Sequence, residues 1–305
     1  MTIIMSRMHD HASFENQNTL KEFLAEQLVN GRLSLALGAG ASMGFGLPNW
    51  DNLIADAFAK RGLTKPTALT NEHAADALLA ACGNDDLRFA SLISEVLYSG
   101  IDLSMVKLKQ KELLAALGAI TMASSRGSVG RVVSFNYDNL LETYLDYYGF
   151  DVESIAKVPH WDSRTDVKIY HPHGFLPSDK IGTAIAPIVL AQSHYDRIVG
   201  KTHVVWNSVL LEIFSSSTMI FIGLSGADNN LTSLLQSAND NHVSKARHDA
   251  FWGIRFSDSV DDARSHIWQM RGVFQVTLSS YEEIPGWLFE VCQIAAQKRR
   301  RHRGG

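Results

Sequence analysis

Only two cysteines, Cys82 and Cys292, occur in the 305 residues, each inside an apolar stretch with helical spacing. Counting alone excludes a disulfide framework and a four-cysteine zinc site, and the cell interior becomes the expected compartment. Long apolar runs are also missing: none approaches the roughly 20 residues that span a bilayer, and residues 1–10 lack the apolar centre of a signal peptide. The expectation is a soluble, cytoplasmic chain without membrane contact. No cluster of acidic metal ligands, no internal repeat and no low-complexity linker is visible.

Charge of one sign is scarce too. A net charge of -4 argues against a nucleic-acid footprint over the whole surface. The exception is the tail 298–305, where Lys298, Arg299, Arg300, Arg301, His302 and Arg303 run together. It reads either as a solvated, disordered helix end or as a docking strip for nucleic acid or an acidic partner.

A hydrophobic content of 46% over 305 residues is enough for a full α/β core, read here as a single domain, 1–305. Apolar runs predict strands at Leu33–Leu37, Arg131–Phe135, Val167–Tyr170, Met219–Ile222, Phe251–Ile254 and Val273–Leu278. Helical periods predict Leu20–Leu28, Trp50–Phe58, Leu140–Tyr148, Val204–Phe214, Leu231–Ala238 and a closing helix Glu282–Lys298. Residues Asn71–Ile120 are helical almost throughout, a helical module of about residues 66–125 inserted between the first two strands. The alternation implies an α/β fold: a Rossmann-like parallel sheet covered by helices on both faces.

Four clusters sit where strands end. Gly38-Ala39-Gly40-Ala41-Ser42 follows the first strand and leads into a helix; its glycines allow close backbone approach, and a helix start offers N–H groups to an anion. The spacing departs from the common dinucleotide fingerprint, with Met43 at the third glycine position and Gly44 and Gly46 beyond it. A turn whose glycines merely permit sharp geometry is the plain alternative. Asn136-Tyr137-Asp138 follows the second strand: Asn136 suits a ribose hydroxyl or a water, Asp138 suits developing positive charge, and helix capping competes for both. His171-Pro172-His173-Gly174 ends the third predicted strand, and residues two apart on an extended chain face the same side, so both imidazoles could enter one crevice. A hydrogen-bonded structural role competes for His171, and no ligand spacing supports a metal. Gly223-Leu224-Ser225-Gly226-Ala227-Asp228 is a second glycine turn, in which Asp228 could instead cap the next helix.

Together these clusters resemble the sirtuin family, and within it the bacterial sirtuin-like branch of antiviral defence systems. The resemblance runs from Leu33 to about Leu235, through Gly38–Ser42, Gly46-Leu47-Pro48-Asn49-Trp50, Ser134–Asp138, His173-Gly174 and Phe221–Ser225 with Asp228. It implies NAD as the substrate, bound by Gly38, Ala39, Gly40, Ser42, Pro48, Trp50, Asn136, Asp138, Gly223, Ser225 and Asp228. It further implies His173 as catalytic base, Asn136 orienting ribose or water, Asp138 assisting, and no metal. Deacetylating sirtuins carry a four-cysteine zinc ribbon after the histidine, whereas this chain has no cysteine between Gly83 and Val291. Those enzymes also read Asp-Phe-Arg after the proline, where Asn49-Trp50-Asp51 stands here.

What the resemblance implies is NAD glycohydrolysis to nicotinamide and ADP-ribose, as the effector of an abortive-infection response. Stand-alone members of the branch are similar to those paired with a HerA-like hexameric ATPase, so a homo-oligomer, a complex with such a translocase and indirect DNA contact are expected. Two rivals remain: a catalytically silent NAD- or ADP-ribose-binding scaffold or sensor, and a nucleic-acid-processing subunit. The helical module is the expected lid or contact surface.

Overall fold

The computed structural model describes residues 14–122, 124, 127–161, 163–184, 188–199, 202–224, 226, 229–241, 251–259 and 262–303. Among them, β1 (Leu33–Leu37), β2 (Arg131–Ser134), β3 (Val152–Ile155), β4 (Val167–Tyr170), β5 (Thr218–Ile222), β6 (Gly253–Ser257) and β7 (Val273–Thr277) form one sheet. Its order is β3-β4-β2-β1-β5-β6-β7. Every neighbouring pair is parallel.

Successive strand side chains leave opposite faces, so a sheet buried on both sides supplies two cores. Leu33, Leu35 and Leu37 of β1 join one core with Val132, Ile169, Ile220, Ile222 and Ile254. Helices Gln17–Val29, Glu112–Thr121 and Ile284–Arg303 cover that face through Leu20, Leu24, Leu117, Leu288 and Val291. Ala36, Val133, Met219 and Phe221 point the other way, against Trp206, Leu210 and Phe214 of Thr202–Ser216 and Leu231 and Leu235 of Asn229–Asn241. The fold is therefore Rossmann-like, with helices on both faces, as the sequence predicts.

The long interval between β1 and β2 carries helices Trp50–Lys60, Asn71–Ala81, Asp86–Leu97, Met105–Leu108 and Glu112–Thr121, with no strand among its described residues. Side-chain caps start three of them. Asn49 Oδ1 accepts from Asn52 N–H at 2.8 Å, Thr70 Oγ1 from His73 N–H at 3.4 Å and Asp85 Oδ1 from Leu87 N–H at 2.9 Å. Each cap satisfies an N–H that has no partner inside its own helix.

The structure departs from the sequence reading in four places. Strand β3 was not anticipated: Val152-Glu153-Ser154-Ile155 lies at the sheet edge, pairs among the described residues only with β4, and has one buried residue, so no apolar run announces it. Helices Gln192–Val199 and Asp262–Gln269 were also unanticipated; both are polar in sequence and give no apolar period. The strand expected at Phe251–Ile254 runs instead from Gly253 to Ser257, because Arg255 continues it in register with Gln275. Arg255 is buried with its guanidinium carbon 5.1 Å from the centre of the Trp268 ring, an arrangement that shelters the charge. Finally, the closing helix, expected over Glu282–Lys298, runs from Ile284 to Arg303 and so takes in the basic residues 298–303.

Candidate functional site

Chain order along the sheet reverses between β1 and β5, and in open parallel sheets the crevice at the carboxyl ends of such strands receives ligands. Both glycine turns lie there and touch through their backbones. Gly38 N–H donates to Ile222 O at 2.9 Å and Gly40 N–H to Gly223 O at 3.1 Å. A Cβ on Gly40 would stand 2.7 Å from Gly223 Cα, and Gly223 itself sits at φ +72°, where side chains are disfavoured. The glycines are thus demanded by one turn packing on the other. This corrects the expectation of a free anion cradle: the N–H groups of Gly38, Gly40 and Ala41 are already engaged, the last with Gly38 O at 2.8 Å.

Ser42, on the short helix Ala39–Met43, is the centre of a buried hydrogen-bond cluster. Its Oγ donates to Asp138 Oδ2 at 2.8 Å and accepts from Asn136 Nδ2 at 2.9 Å. Asn136 Nδ2 also donates to Gly38 O at 3.0 Å. A carbonyl can only accept, so the amide must face Gly38 with its nitrogen, and both N–H bonds are spent. What Asn136 can offer a ligand is Oδ1, an acceptor for a hydroxyl or a water.

Asp138 is both site member and cap. One carboxyl oxygen takes the Ser42 hydroxyl, and Oδ1 accepts from Leu140 N–H at 3.2 Å at the start of helix Leu140–Tyr147. Burial pushes its pKa above the usual carboxylate range, opposed by the hydrogen bonds from Ser42 and Leu140. Asn139 holds the cap position without capping the helix; its Oδ1 accepts instead from Ser178 N–H at 3.0 Å.

The loops after β2 and β4 are stitched together. Leu176 N–H donates to Tyr137 O at 2.8 Å, Tyr137 Oη to Val189 O at 2.8 Å, and Val189 N–H to His173 O at 2.8 Å. The buried Tyr98 hydroxyl, from the helical module, donates to Leu176 O at 2.7 Å. His173 is half-buried, its ring edge-on to Phe135 at 5.2 Å and to Tyr195 at 5.9 Å. It thus stands beside the residue that precedes Asn136. The two histidines do not share a crevice: β4 ends at Tyr170, the chain turns between His171 and Gly174, and His171 is fully buried with Nε2 2.6 Å from Glu142 Oε1.

Gly38, Gly40, Ser42, Asn136, Asp138 and Gly223 therefore meet in one place, with Ala39 between the two glycines. Pro48 and Trp50 stand apart from the hydrogen-bonded cluster, at the start of helix Trp50–Lys60, where Trp50 packs on the core. Ser225 and Asp228 lie outside the described residues. Sequence reasoning missed Phe135 and Tyr195 beside His173, and Glu142 behind His171; only Phe135, next to Asn136, had a positional signal. A small pocket behind the cluster is lined by Ser42, Asn136, Asp138, Glu142, Phe45 and Leu117. Among the described residues no group of His, Cys, Asp and Glu is arranged to hold a metal, and no helix is long and apolar enough to cross a membrane.

Residues 130–275, just under half of the chain, match the family described as SIR2-like domain. That span takes in Asn136, Asp138, His173 and Gly223 but not Gly38–Ser42, Pro48 or Trp50. Among solved structures, a chain described under "Structural Basis for the Mechanism and Regulation of Sir2 Enzymes" is similar at 13% identity, with a TM-score of 0.48 over 92% of this chain and 98% of that one. No curated protein matches.

Proposed function

We propose that the chain binds NAD at the meeting of its two glycine turns and hydrolyses the bond between nicotinamide and ribose. The observation that carries this reading is the Ser42–Asn136–Asp138 cluster at the sheet's reversal point, with His173 on the adjoining loop. The SIR2-like match over residues 130–275 supports NAD as the nucleotide.

The pyrophosphate lies at the exposed Ala39 end of the short helix, beside the packed glycines whose own N–H groups are engaged; Ser225 and Asp228 enter as NAD contacts on the resemblance alone. The nicotinamide ribose lies between Asn136 and His173. The glycosidic C–N bond breaks with its electron pair passing to the nicotinamide nitrogen, leaving an oxocarbenium-like ribosyl carbon. Asn136 Oδ1 accepts a hydrogen from a water or ribose hydroxyl, His173 takes the proton as the water oxygen bonds to that carbon, and the proton then passes to solvent. Products are nicotinamide and ADP-ribose. Asp138, whose oxygens face Ser42 and Leu140 N–H, acts by holding Ser42 and through it the Asn136 amide.

The role as an antiviral effector, the homo-oligomer and the HerA-like ATPase partner extend this proposal on the strength of the resemblance. The deciding experiment incubates purified chain with NAD, with and without such an ATPase and DNA, and measures nicotinamide and ADP-ribose. His173→Ala and Asn136→Ala are each expected to lower turnover about a hundredfold or more while remaining folded. Wild-type turnover in both variants would refute the assignment. NAD binding without any release would favour the silent scaffold.

A further inference from the structure

We infer that His171 and Glu142 form a positioning pair that sets Asn136 against the His173 turn; the inference rests on the NAD-hydrolase reading of the site. His171 is completely buried, and its ring packs on Phe175 with centroids 4.4 Å apart, so no substrate reaches it. Its Nδ1 lies 3.1 Å from the main-chain oxygen of Asn136. That oxygen can only accept, so Nδ1 carries a hydrogen and donates it. The opposite nitrogen, Nε2, meets Glu142 Oε1 at 2.6 Å, and one further proton lies between them.

The backbone of the same residue is equally committed. Its N–H donates to Ile155 O at the end of β3, at 2.8 Å, and its carbonyl accepts from Gly174 N–H at 3.1 Å, closing the turn that presents His173. Gly174 sits at φ +98°, which lets the chain reverse there. His171 thus links four elements, and two of them carry the proposed catalytic groups. The peptide after Asn136 is pinned by the imidazole, while its amide is pinned by Gly38 O and Ser42 Oγ. With both ends held, Oδ1 has one direction. Glu142, in the first turn of helix Leu140–Tyr147, prevents the imidazole from rotating away.

The pair would act through Asn136, so its loss should lower kcat and leave KM nearly unchanged. Three variants separate this from simple packing. His171→Asn keeps a donor near the Nδ1 position but cannot reach Glu142; His171→Leu removes both contacts; Glu142→Leu removes the partner of Nε2 alone. Each is characterised by melting temperature, by kcat and KM for NAD, and by amide hydrogen exchange over residues 134–140. A displacement of about 1 Å at a reacting group costs on the order of a hundredfold, so that loss in kcat is expected for His171→Leu, with KM within about threefold. Exchange over 134–140 is expected to rise about tenfold in the same variant, because local opening there loses a restraint. His171→Asn should recover most of kcat. Wild-type kcat and exchange in His171→Leu would overturn the inference, as would His171→Asn being no better than His171→Leu. If His171→Leu does not fold, Glu142→Leu decides: lower kcat at unchanged KM supports the pair, and wild-type kcat overturns it. If wild-type protein releases no nicotinamide, the hydrolase reading fails by itself, and the exchange measurement still decides the positioning claim.

Discussion

Replacing Ser42 with alanine removes one oxygen and two hydrogen bonds from the centre of the cluster. In Ser42→Ala the Asn136 amide retains Gly38 O at 3.0 Å, but the buried Asp138 carboxyl keeps only Leu140 N–H at 3.2 Å. A hydrogen bond to a charged group contributes about 1.5–3 kcal/mol, and a buried acceptor left without its donor costs about as much, so a loss of about 2 kcal/mol is expected. Unfolding entropy near 2.1 cal/mol/K per residue amounts to about 0.6 kcal/mol/K for 305 residues, which turns that loss into about 3 °C of melting temperature. Urea unfolding of wild type, Ser42→Ala, Asp138→Asn and the double variant isolates the pair. If the 2.8 Å contact holds the carboxyl, the two single effects should fail to add by about 1 kcal/mol or more. Additivity within about 0.5 kcal/mol would refute the cluster as described.

The remaining predictions concern the same crevice and the chain's end. Gly223→Ala must place a side chain at φ +72° and against the backbone of Gly40 and Ala41; the left-handed backbone alone costs about 1–2 kcal/mol, so melting should fall by several degrees, and an unchanged melting temperature would refute the packing argument. Because burial raises the Asp138 pKa, the native state holds that proton to higher pH than the unfolded chain does. Stability from this group is present below the ordinary carboxylate value near 3.9 and is lost as pH rises. The melting temperature of Asp138→Asn minus that of wild type should accordingly grow between pH 4.5 and pH 8, and a constant difference would count against it. A chain ending at Gln297 should bind DNA as weakly as the full chain at net charge -4; salt-sensitive retention by the full chain alone would instead establish the basic helix end as a docking strip.

What could be read from the sequence follows from what each residue's neighbours along the chain reveal. Leu33–Leu37 is apolar at nearly every position because β1 is buried on both faces, and its termination by Gly38 is local information. Edge strand β3 offers no such run, and Arg255 hides the second half of β6 because a charge inside a strand reads as a break, although here its guanidinium lies against Trp268. Position relative to strand ends was enough to nominate Asn136, Asp138 and His173. Their roles were not legible, since each depends on contacts remote in sequence: Ser42 meets Asp138 across 96 positions, and Gly38 meets Asn136 across 98. The same limit explains the histidines. Residues two apart face one side only while the chain stays extended, and the hydrogen bond from Gly174 N–H to His171 O bends it at once. His171 then turns inward to Glu142 while His173 stays beside Phe135, so the sequence pattern that nominated both as candidates conceals that only one can meet a substrate.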